Sequence, residues 1–290
     1  MSYRRGTLPE QSRCAKPADA AACPDPAAGP AWCLSACSWD HGEVTIDTPS
    51  RDRAASFDLG VAAYGQARPG YPDDAARWLV PGAGCRVVDL AAGTGKLTSR
   101  LIALGHTVTA VEPSHGMRAE LERTVPGVWT LAGTAEAIPV PDSSVDAVVV
   151  AQAWHWFSPR HTVPEVARVL RPGGHLSVVW NVRDHRVDWV DQFTRIIHEG
   201  DTLAPSHREP VLDEQFAPIE HARFPWTHRL RPADLRTLAA SRSHTLTLPT
   251  AEREALLTAV DELARTHPDL AGRDHVDLPY RATCWRARLR

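Results

Sequence analysis

The sequence predicts an α/β fold in which helices cover a largely parallel β-sheet. A short apolar and β-branched run at residues 87–90 leads into a glycine-containing turn and then into a segment with helical spacing. Residues 107–112 and 145–151 are two further runs of this kind, and the second has the composition of a buried central strand. Strands that alternate with helices form parallel sheets, and such sheets bind ligands at their carboxyl-terminal edge.

The turn after the first predicted strand admits three interpretations. A dinucleotide-binding fingerprint requires G-x-G-x-x-G, but Thr98 stands where the third glycine belongs. A phosphate-binding P-loop requires G-x-x-x-x-G-K-[ST], but Leu90 and Leu97 occupy two of those positions. The third pattern is an acidic residue at the strand end followed by small residues and G-x-G. An ordinary strand-to-helix turn stays open, because two glycines alone are a weak signal. The residues of the third pattern are Asp89, Ala91, Gly93 and Gly95.

Glu112 ends the second predicted strand. A carboxylate at the tip of that strand can accept two hydrogen bonds from the vicinal hydroxyls of a ribose. Because NAD sites use the same device, Glu112 indicates nucleoside binding in general. The alternative is a surface carboxylate at a helix start, since Ser114 can cap a helix that begins near Met117.

Three later motifs follow in order. Residues 133–141 read G-T-A-E-A-I-P-V-P, residues 152–157 read Q-A-W-H-W-F, and residues 169–180 contain a helix end, a double-glycine turn and a strand. With the glycine turn, these motifs resemble the class I S-adenosylmethionine (SAM)-dependent methyltransferases over about residues 54–181.

A subgroup resemblance comes from three segments. Tyr64-x-x-x-Arg68-Pro-Gly-Tyr71-Pro precedes the first strand, and Asn-Val-Arg-Asp at 181–184 follows the fifth. Together with the tryptophan-rich motif at 152–157, they are similar to the trans-aconitate methyltransferase-like group of small-molecule enzymes.

The family resemblance implies a doubly wound, Rossmann-like sheet of seven mostly parallel strands, with the last strand antiparallel. It implies SAM as the cofactor. Thr134 replaces the family's usual aspartate, which leaves the contact to the adenine amino group to a backbone group or to Glu136. A segment ahead of the first strand covers the pocket in this family, so Tyr64 and Arg68 would face the methionine carboxylate or the substrate; packing of Tyr64 on the sheet is the alternative. The residues assigned to the cofactor are Asp89, Ala91, Gly93, Thr94, Gly95, Glu112, Pro113, Met117, Thr134, Ala135, Glu136, Gln152, Tyr64 and Arg68.

His155 is the candidate general base, because it follows the fourth strand, where the methyl group would project. Imidazole titrates near neutral pH, which suits proton abstraction from a hydroxyl. Trp154 and Trp156 flank it in sequence and are expected to exclude water and stack on the substrate. Packing of His155 beside the sheet edge is the alternative. Tyr71 and Arg183 complete the predicted substrate residues.

The absence of certain motifs narrows the range of possible methyl acceptors. The [DN]-P-P-[FYW] motif of enzymes that methylate base amines is absent after the fourth strand, and no cysteine lies there for carbon methylation. The sequence therefore predicts a small-molecule acceptor methylated on a carboxylate or hydroxyl oxygen. A carboxylate needs no base and would be oriented by Arg183 or Arg68 through paired hydrogen bonds. The rival interpretations are a SAM-binding regulatory or partner protein without catalysis and an NAD-linked oxidoreductase.

Composition excludes several classes of partner. The formal net charge of −3 argues against nucleic acid, whose phosphates require clustered cations. No apolar run approaches the length of a membrane span, and the N-terminus lacks the apolar core of a signal peptide, so a cytoplasmic location is expected. The spacing of the first four cysteines does not match a zinc site, and no metal is expected. Nothing in the sequence indicates an oligomeric state.

The predicted organisation has two parts. Residues 1–50 are rich in alanine and proline without periodicity and are expected to be disordered. Residues 51–290 form the methyltransferase domain. Within it we expect lid helices at 51–82, the cofactor-binding core at 83–181, and substrate-side helices and closing strands at 182–290. The last part is predicted to hold helices at 187–198, near 210–216, at 232–240 and at 250–267, and strands at 222–226 and 276–285.

Overall fold

The computed structural model describes residues 68–201 and 209–290. The predicted disordered segment, Tyr64 and most of the predicted lid helices lie outside the described residues.

The described residues contain one seven-stranded sheet with the strand order β3-β2-β1-β4-β5-β7-β6. Strands β1 to β5 pair in parallel, whereas β7 runs antiparallel to both β5 and β6. The predicted doubly wound sheet with an antiparallel last strand is therefore confirmed. The strands are Arg86–Leu90 (β1), Thr107–Val111 (β2), Trp129–Leu131 (β3), Val145–Ala151 (β4), Leu170–Arg183 (β5), Glu220–Leu230 (β6) and Val276–Arg288 (β7).

Helices lie on both faces of this sheet. Along β1, Val87 packs in a cluster with residues of α1 and α2, whereas Val88 and Leu90 pack with residues of α4. This two-residue alternation places successive side chains of the strand on opposite faces. The helices are Asp73–Leu79 (α1), Lys96–Ala103 (α2), His115–Thr124 (α3), Pro159–Val169 (α4), Asp188–His198 (α5), Asp234–Ala240 (α6), Ser243–Thr247 (α7) and Thr250–Thr266 (α8).

A third cluster, built from α5, α6, α8 and the start of β7, forms the C-terminal part of the molecule. Its members include Phe193 of α5, Leu235 of α6, Val260 of α8 and Tyr280 of β7. This cluster ties the C-terminal helices to the antiparallel end of the sheet and sets their position beside the carboxyl end of β5.

The prediction of a helix near residues 210–216 is wrong. The described residues there form a turn, in which the Asp213 carboxylate accepts a hydrogen bond from the Gln215 N–H at 3.0 Å. Phe216 is buried and forms a β-bridge with Leu289, and the Ala217 N–H donates to the Arg288 carbonyl. Pairing with the end of β7 satisfies backbone groups that a helix would otherwise have bonded internally.

The double glycine is part of β5 and not a separate turn before it. Strand β5 begins at Leu170, and its register with β4 shifts between Val145 and Ala147, opposite the glycines. A Cβ on Gly174 would lie 3.0 Å from the Asp146 carbonyl oxygen, so the two backbones approach too closely for a side chain. The irregularity therefore has the character of a β-bulge.

Gly95 and Gly93 provide a matched test of packing in the glycine turn, because both have positive φ angles, +82° and +57°. A Cβ on Gly95 would lie 2.9 Å from Leu121 Cγ in the core, whereas a Cβ on Gly93 would meet nothing within 4 Å. Gly95→Ala should lower the free energy of unfolding by about 2–4 kcal/mol, from overpacking plus backbone strain. Gly93→Ala should lower it by about 1–2 kcal/mol, from strain alone. Urea denaturation of both variants measures the difference, and equal losses would contradict this packing.

Candidate functional site

The site lies where the strand order reverses. Strand β1 pairs with β2 on one side and with β4 on the other, so the carboxyl ends of β1 and β4 border a crevice of the type that binds ligands in open α/β sheets. The residues that directly follow these two strands, Ala91 and Gln152, have φ angles of 55° and 63°. Non-glycine residues adopt this left-handed conformation at a cost of about 1–2 kcal/mol each, and such strain clusters at functional sites.

Glu112 joins the glycine turn to the end of β2. Its carboxylate accepts the Gly93 N–H at 2.9 Å through Oε2 and the Ser114 N–H at 3.0 Å through Oε1. The side chain is buried, so it is not the surface carboxylate that the alternative interpretation required. These two hydrogen bonds hold the carboxylate at the carboxyl end of β2, the edge at which open α/β sheets bind ligands.

Asp89 lies behind the turn, within β1, and is 1% exposed. Its Oδ2 accepts a hydrogen bond of 2.6 Å from the Thr98 hydroxyl, and burial raises the pKa of the carboxyl group to about 7. Its Oδ1 is buried and has no hydrogen-bond partner among the described residues. Thr98, which breaks the dinucleotide fingerprint, thus has the local task of holding this carboxylate.

Two further features of the turn fit an approaching ligand. Thr94 Oγ1 is buried and has no hydrogen-bond partner in the described part of the chain. A Cβ on Gly93 would face open space, so its glycine is required by backbone conformation and not by protein packing. Unmatched acceptors at Asp89 and Thr94 beside a bare backbone suit the ammonium-bearing amino-acid end of SAM, because a buried polar atom is stabilised when a ligand supplies its partner.

Several residues predicted to bind the cofactor after β2 and β3 make hydrogen bonds within the protein. Ser114 caps α3, since its hydroxyl accepts the Met117 N–H at 3.1 Å, and the Pro113 carbonyl accepts from Arg118. Glu136 accepts the Ser158 N–H at 3.3 Å and thereby fixes the start of α4. Its carboxylate is therefore engaged by the protein.

Thr134 and Ala135 form the loop that follows β3. Thr134 makes an isolated β-bridge with Ala137, and Ala135 is 4% exposed. The bridge holds the loop in a tight turn and leaves the Thr134 side chain partly exposed. The predicted adenine contact at this loop stays a prediction, and a backbone group of the loop is the more available of its two alternatives.

His155 lies in a short 3₁₀ turn, Trp154–Trp156, just beyond β4. Its ring centroid lies 4.1 Å from that of Trp156 and 5.1 Å from that of Trp180. Trp154 instead packs into the core, edge-on to Phe157 at 5.8 Å. The second ring beside the imidazole is therefore Trp180 of β5, and not Trp154 as the order of residues suggested.

The remaining predicted residues divide between core and site. Tyr71 is 7% exposed and belongs to the cluster beneath α1, which favours a packing role over substrate contact.

The two predicted arginines are held by hydrogen bonds. Arg68 donates from Nη2 to the Ser241 carbonyl at 2.9 Å. Arg183, at the end of β5, donates from Nε to the Thr194 hydroxyl at 2.9 Å and lies over the Phe193 ring. Both arginines are thus fixed by the C-terminal helices.

Two absences hold for the part of the chain that the structure describes. No helix in residues 68–201 and 209–290 combines the length and apolarity needed to cross a bilayer. Across the same residues, no three histidine, cysteine, aspartate or glutamate side chains come together as ligands for a metal ion. The first four cysteines lie outside this part.

Comparison with known proteins agrees with the fold. Residues 88–178 match a family model described as a methyltransferase domain. The chain is 48% identical over 240 residues to an uncharacterized methyltransferase of Mycobacterium tuberculosis, covering 82% of this chain and 98% of that protein. It is 35% identical over 236 residues to an uncharacterized methyltransferase-like protein of Schizosaccharomyces pombe, covering 78% and 92% of the two chains.

Solved structures show the same architecture. A putative methyltransferase from an antibiotic biosynthesis pathway of Anabaena variabilis superposes with a TM-score of 0.53 at 26% identity, over 73% of this chain and 95% of its own. A putative type II methyltransferase of Anaeromyxobacter dehalogenans superposes with a TM-score of 0.51 at 24% identity, over 77% and 97%.

The raised pKa of Asp89 predicts how stability depends on pH. The carboxyl group has an ordinary pKa of 3.8 in the unfolded chain and about 7 in the folded one. The folded state therefore binds the extra proton between these values, and stability falls as the pH rises from about 4 to about 7. Asp89→Asn removes this loss. The melting temperature of the variant minus that of the wild type, without ligand, should be more positive at pH 8 than at pH 5.

Thermal unfolding of Asp274→Asn provides the control, since Asp274 is exposed. Its difference from the wild type should not change between the two pH values. A pH-independent difference for Asp89→Asn as well would mean that the folded Asp89 ionises normally.

Proposed function

Because this chain belongs to the class I SAM-dependent methyltransferases, we propose that it transfers a methyl group to a carboxylate or hydroxyl oxygen of a small-molecule acceptor. The observation that carries the proposal is the position of His155. It lies just past the carboxyl end of β4, with Trp156 and Trp180 against its ring. An imidazole there can take a proton from a hydroxyl, while the indoles limit access of water.

We propose that the groups at the β1–β2 edge hold the cofactor. When bound, SAM supplies a methyl group already activated by its sulfonium. Asp89 and Thr94 provide acceptors for the amino-acid end, and Glu112 provides acceptors for the ribose hydroxyls. The chain's main task is then alignment of donor and acceptor, which can contribute about 7–11 kcal/mol to lowering the barrier.

The two oxygen acceptors make different demands on the protein. A hydroxyl must lose its proton during transfer, so it requires a base such as His155. A carboxylate is already ionised at neutral pH and requires orientation, for which a guanidinium fork is suited. Arg183 is held by Thr194 and Phe193 at the end of β5, the same sheet edge as the β4 end.

The net charge of the chain disfavours one class of acceptor. A net charge of −3 disfavours a nucleic acid, whose binding depends on many phosphate contacts. We therefore retain a small metabolite as the acceptor. The cytoplasmic location and the assignment of residues 182–290 to the substrate side stay predictions from the sequence.

The acceptor atom is tested by incubating the purified protein with methyl-labelled SAM and an extract of bacterial metabolites. A methyl ester releases labelled methanol in mild alkali, whereas a methyl ether retains its label, so the two proposed products are distinguishable. Nuclear magnetic resonance of the purified product then locates the methyl carbon. A methyl group on nitrogen, sulfur or carbon would contradict the proposal.

His155→Ala tests the base once the acceptor is known. With a hydroxyl acceptor, kcat should fall by about 10²–10⁴-fold, because proton abstraction is lost. With a carboxylate acceptor, kcat should change little. His161→Ala is the matched control, since His161 is an exposed imidazole on α4. An ether product whose formation survives in His155→Ala would exclude His155 as the base.

A further inference from the structure

Three arginines meet at the junction of the sheet with the C-terminal helices, and we call them the arginine cluster. Arg183 ends β5, Arg242 lies between α6 and α7, and Arg68 precedes α1. The Tyr280 side chain of β7 lies beside the Arg183 guanidinium, as their paired positions in the β5–β7 register allow. The sequence analysis predicted Arg183 and Arg68 as site residues, but it did not predict Arg242 or Tyr280.

The contacts that hold the arginine cluster differ among its members. Arg183 is anchored by the neutral Thr194 hydroxyl, and no ion pair of the described residues involves it. Arg68 donates a hydrogen bond to the carbonyl of Ser241, the residue that precedes Arg242 in sequence. Arg242 lies 3.6 Å from Asp201, and this carboxylate also lies 4.0 Å from His244.

Arg242 is the least satisfied member of the cluster. Its side chain is 14% exposed, and its Nε is buried without a hydrogen-bond partner among the described residues. Buried cations are usually paired and fully hydrogen-bonded, because an unmatched charge away from water is costly. Arg183 has no ion pair among the described residues, and Arg242 shares the Asp201 carboxylate with His244, so this site would gain from an added anion.

The electrostatic state of neighbouring groups supports this interpretation. Burial, followed by the charges of Arg183 and Arg68, lowers the pKa of Arg242 to about 9. Burial also lowers the pKa of Arg183, and it lowers the pKa of His198 on the adjacent turn of α5 to about 4. His198 is therefore neutral at pH 7, and the positive charge is concentrated on the guanidinium groups.

We propose that Arg183, Arg242 and Tyr280 form a subsite that binds a carboxylate or phosphate group of the acceptor, with Arg242 as a specificity-determining residue. The guanidinium groups supply forked donors, and the phenol supplies a further hydroxyl donor, which together match an oxyanion with several acceptor oxygens. This inference rests on the proposed function, because it assigns the acceptor of that reaction to the anionic metabolites.

The position of the subsite relates it to the reacting centre. Trp180 contacts the His155 ring, and Arg183 follows Trp180 by three residues along β5. Three residues of extended strand span about 10 Å. Side chains three residues apart on a strand project from opposite faces, so Trp180 and Arg183 lie on different faces of the sheet. An acceptor anchored at the arginine cluster therefore has to pass over the carboxyl edge of the sheet to reach His155.

Calorimetry with defined anions tests the subsite without knowledge of the natural acceptor. Succinate, inorganic phosphate and neutral succinamide are titrated into the wild type, with and without saturating S-adenosylhomocysteine. We expect saturable binding of at least one anion and none of succinamide. Tighter succinate binding would identify a carboxylate subsite, and tighter phosphate binding a phosphate subsite. Equal affinity for succinamide and succinate, or no anion binding up to about 10 mM, would overturn the proposal.

Variants then assign the binding to the cluster. Arg242→Gln should weaken anion binding by about tenfold or more, since a charged hydrogen-bonding partner is lost. Arg242→Lys, which keeps the charge without the fork, should give an intermediate loss and serves if the glutamine variant does not fold. Arg229→Gln, at an exposed position of β6, should leave the affinity within about twofold of the wild type. Unchanged anion affinity in both Arg242 variants would overturn the proposal.

The affinity for S-adenosylhomocysteine separates this inference from the proposed function. It should be the same in the wild type and in all Arg242 variants that fold. A wild type that does not bind S-adenosylhomocysteine would count against the proposed function, whereas loss of anion binding alone reports on the subsite.

Discussion

The site depends on the two backbone hydrogen bonds accepted by the Glu112 carboxylate. This carboxylate accepts one backbone N–H from the turn after β1 and one from the residue that caps α3, so it joins two strand ends that are separated by a helix in sequence. Hydrogen bonds to an ionised acceptor are stronger than neutral ones, and burial strengthens them further. The same carboxylate is thus both a structural link in the protein and the predicted acceptor for the ribose.

The carboxyl edge of the sheet is built at a cost to stability. Ala91 and Gln152 adopt left-handed backbone conformations, and Asp89 is a buried acid that burial makes hard to ionise. The backbone strain at Ala91 and Gln152 and the burial of the Asp89 carboxyl group lower stability without a ligand, and a bound ligand is expected to offset these costs. This pattern agrees with the general observation that strain and unmatched polar groups concentrate where a protein binds its substrate.

Much of the fold was predictable because local signals agreed with the tertiary structure. The β-branched runs, the G-x-G turn and the Ser114 cap each specify one element, and those elements appear where the pattern indicated. The contacts around His155 and Arg183 were not predictable in this way. Trp180 and Tyr280 belong to regular strands whose patterns carry no sign of function, and Arg242 reaches the site only through the packing of α6 against α8. The prediction of a helix near residues 210–216 was wrong for a related reason, since pairing with the end of β7 overrides the local preference for a helix.

The most direct test of this account is calorimetric titration of S-adenosylhomocysteine into the wild type, Glu112→Gln and the exposed control Glu122→Gln. A glutamine at position 112 would place its amide nitrogen against a backbone N–H donor. It would also remove the negative charge of the carboxylate that is predicted to accept the hydrogen bonds of the sugar hydroxyls. We predict binding by the wild type and by Glu122→Gln, and an affinity at least about tenfold weaker in Glu112→Gln. A wild type without affinity for this ligand, or a Glu112→Gln variant that binds it as tightly as the wild type, would contradict the account.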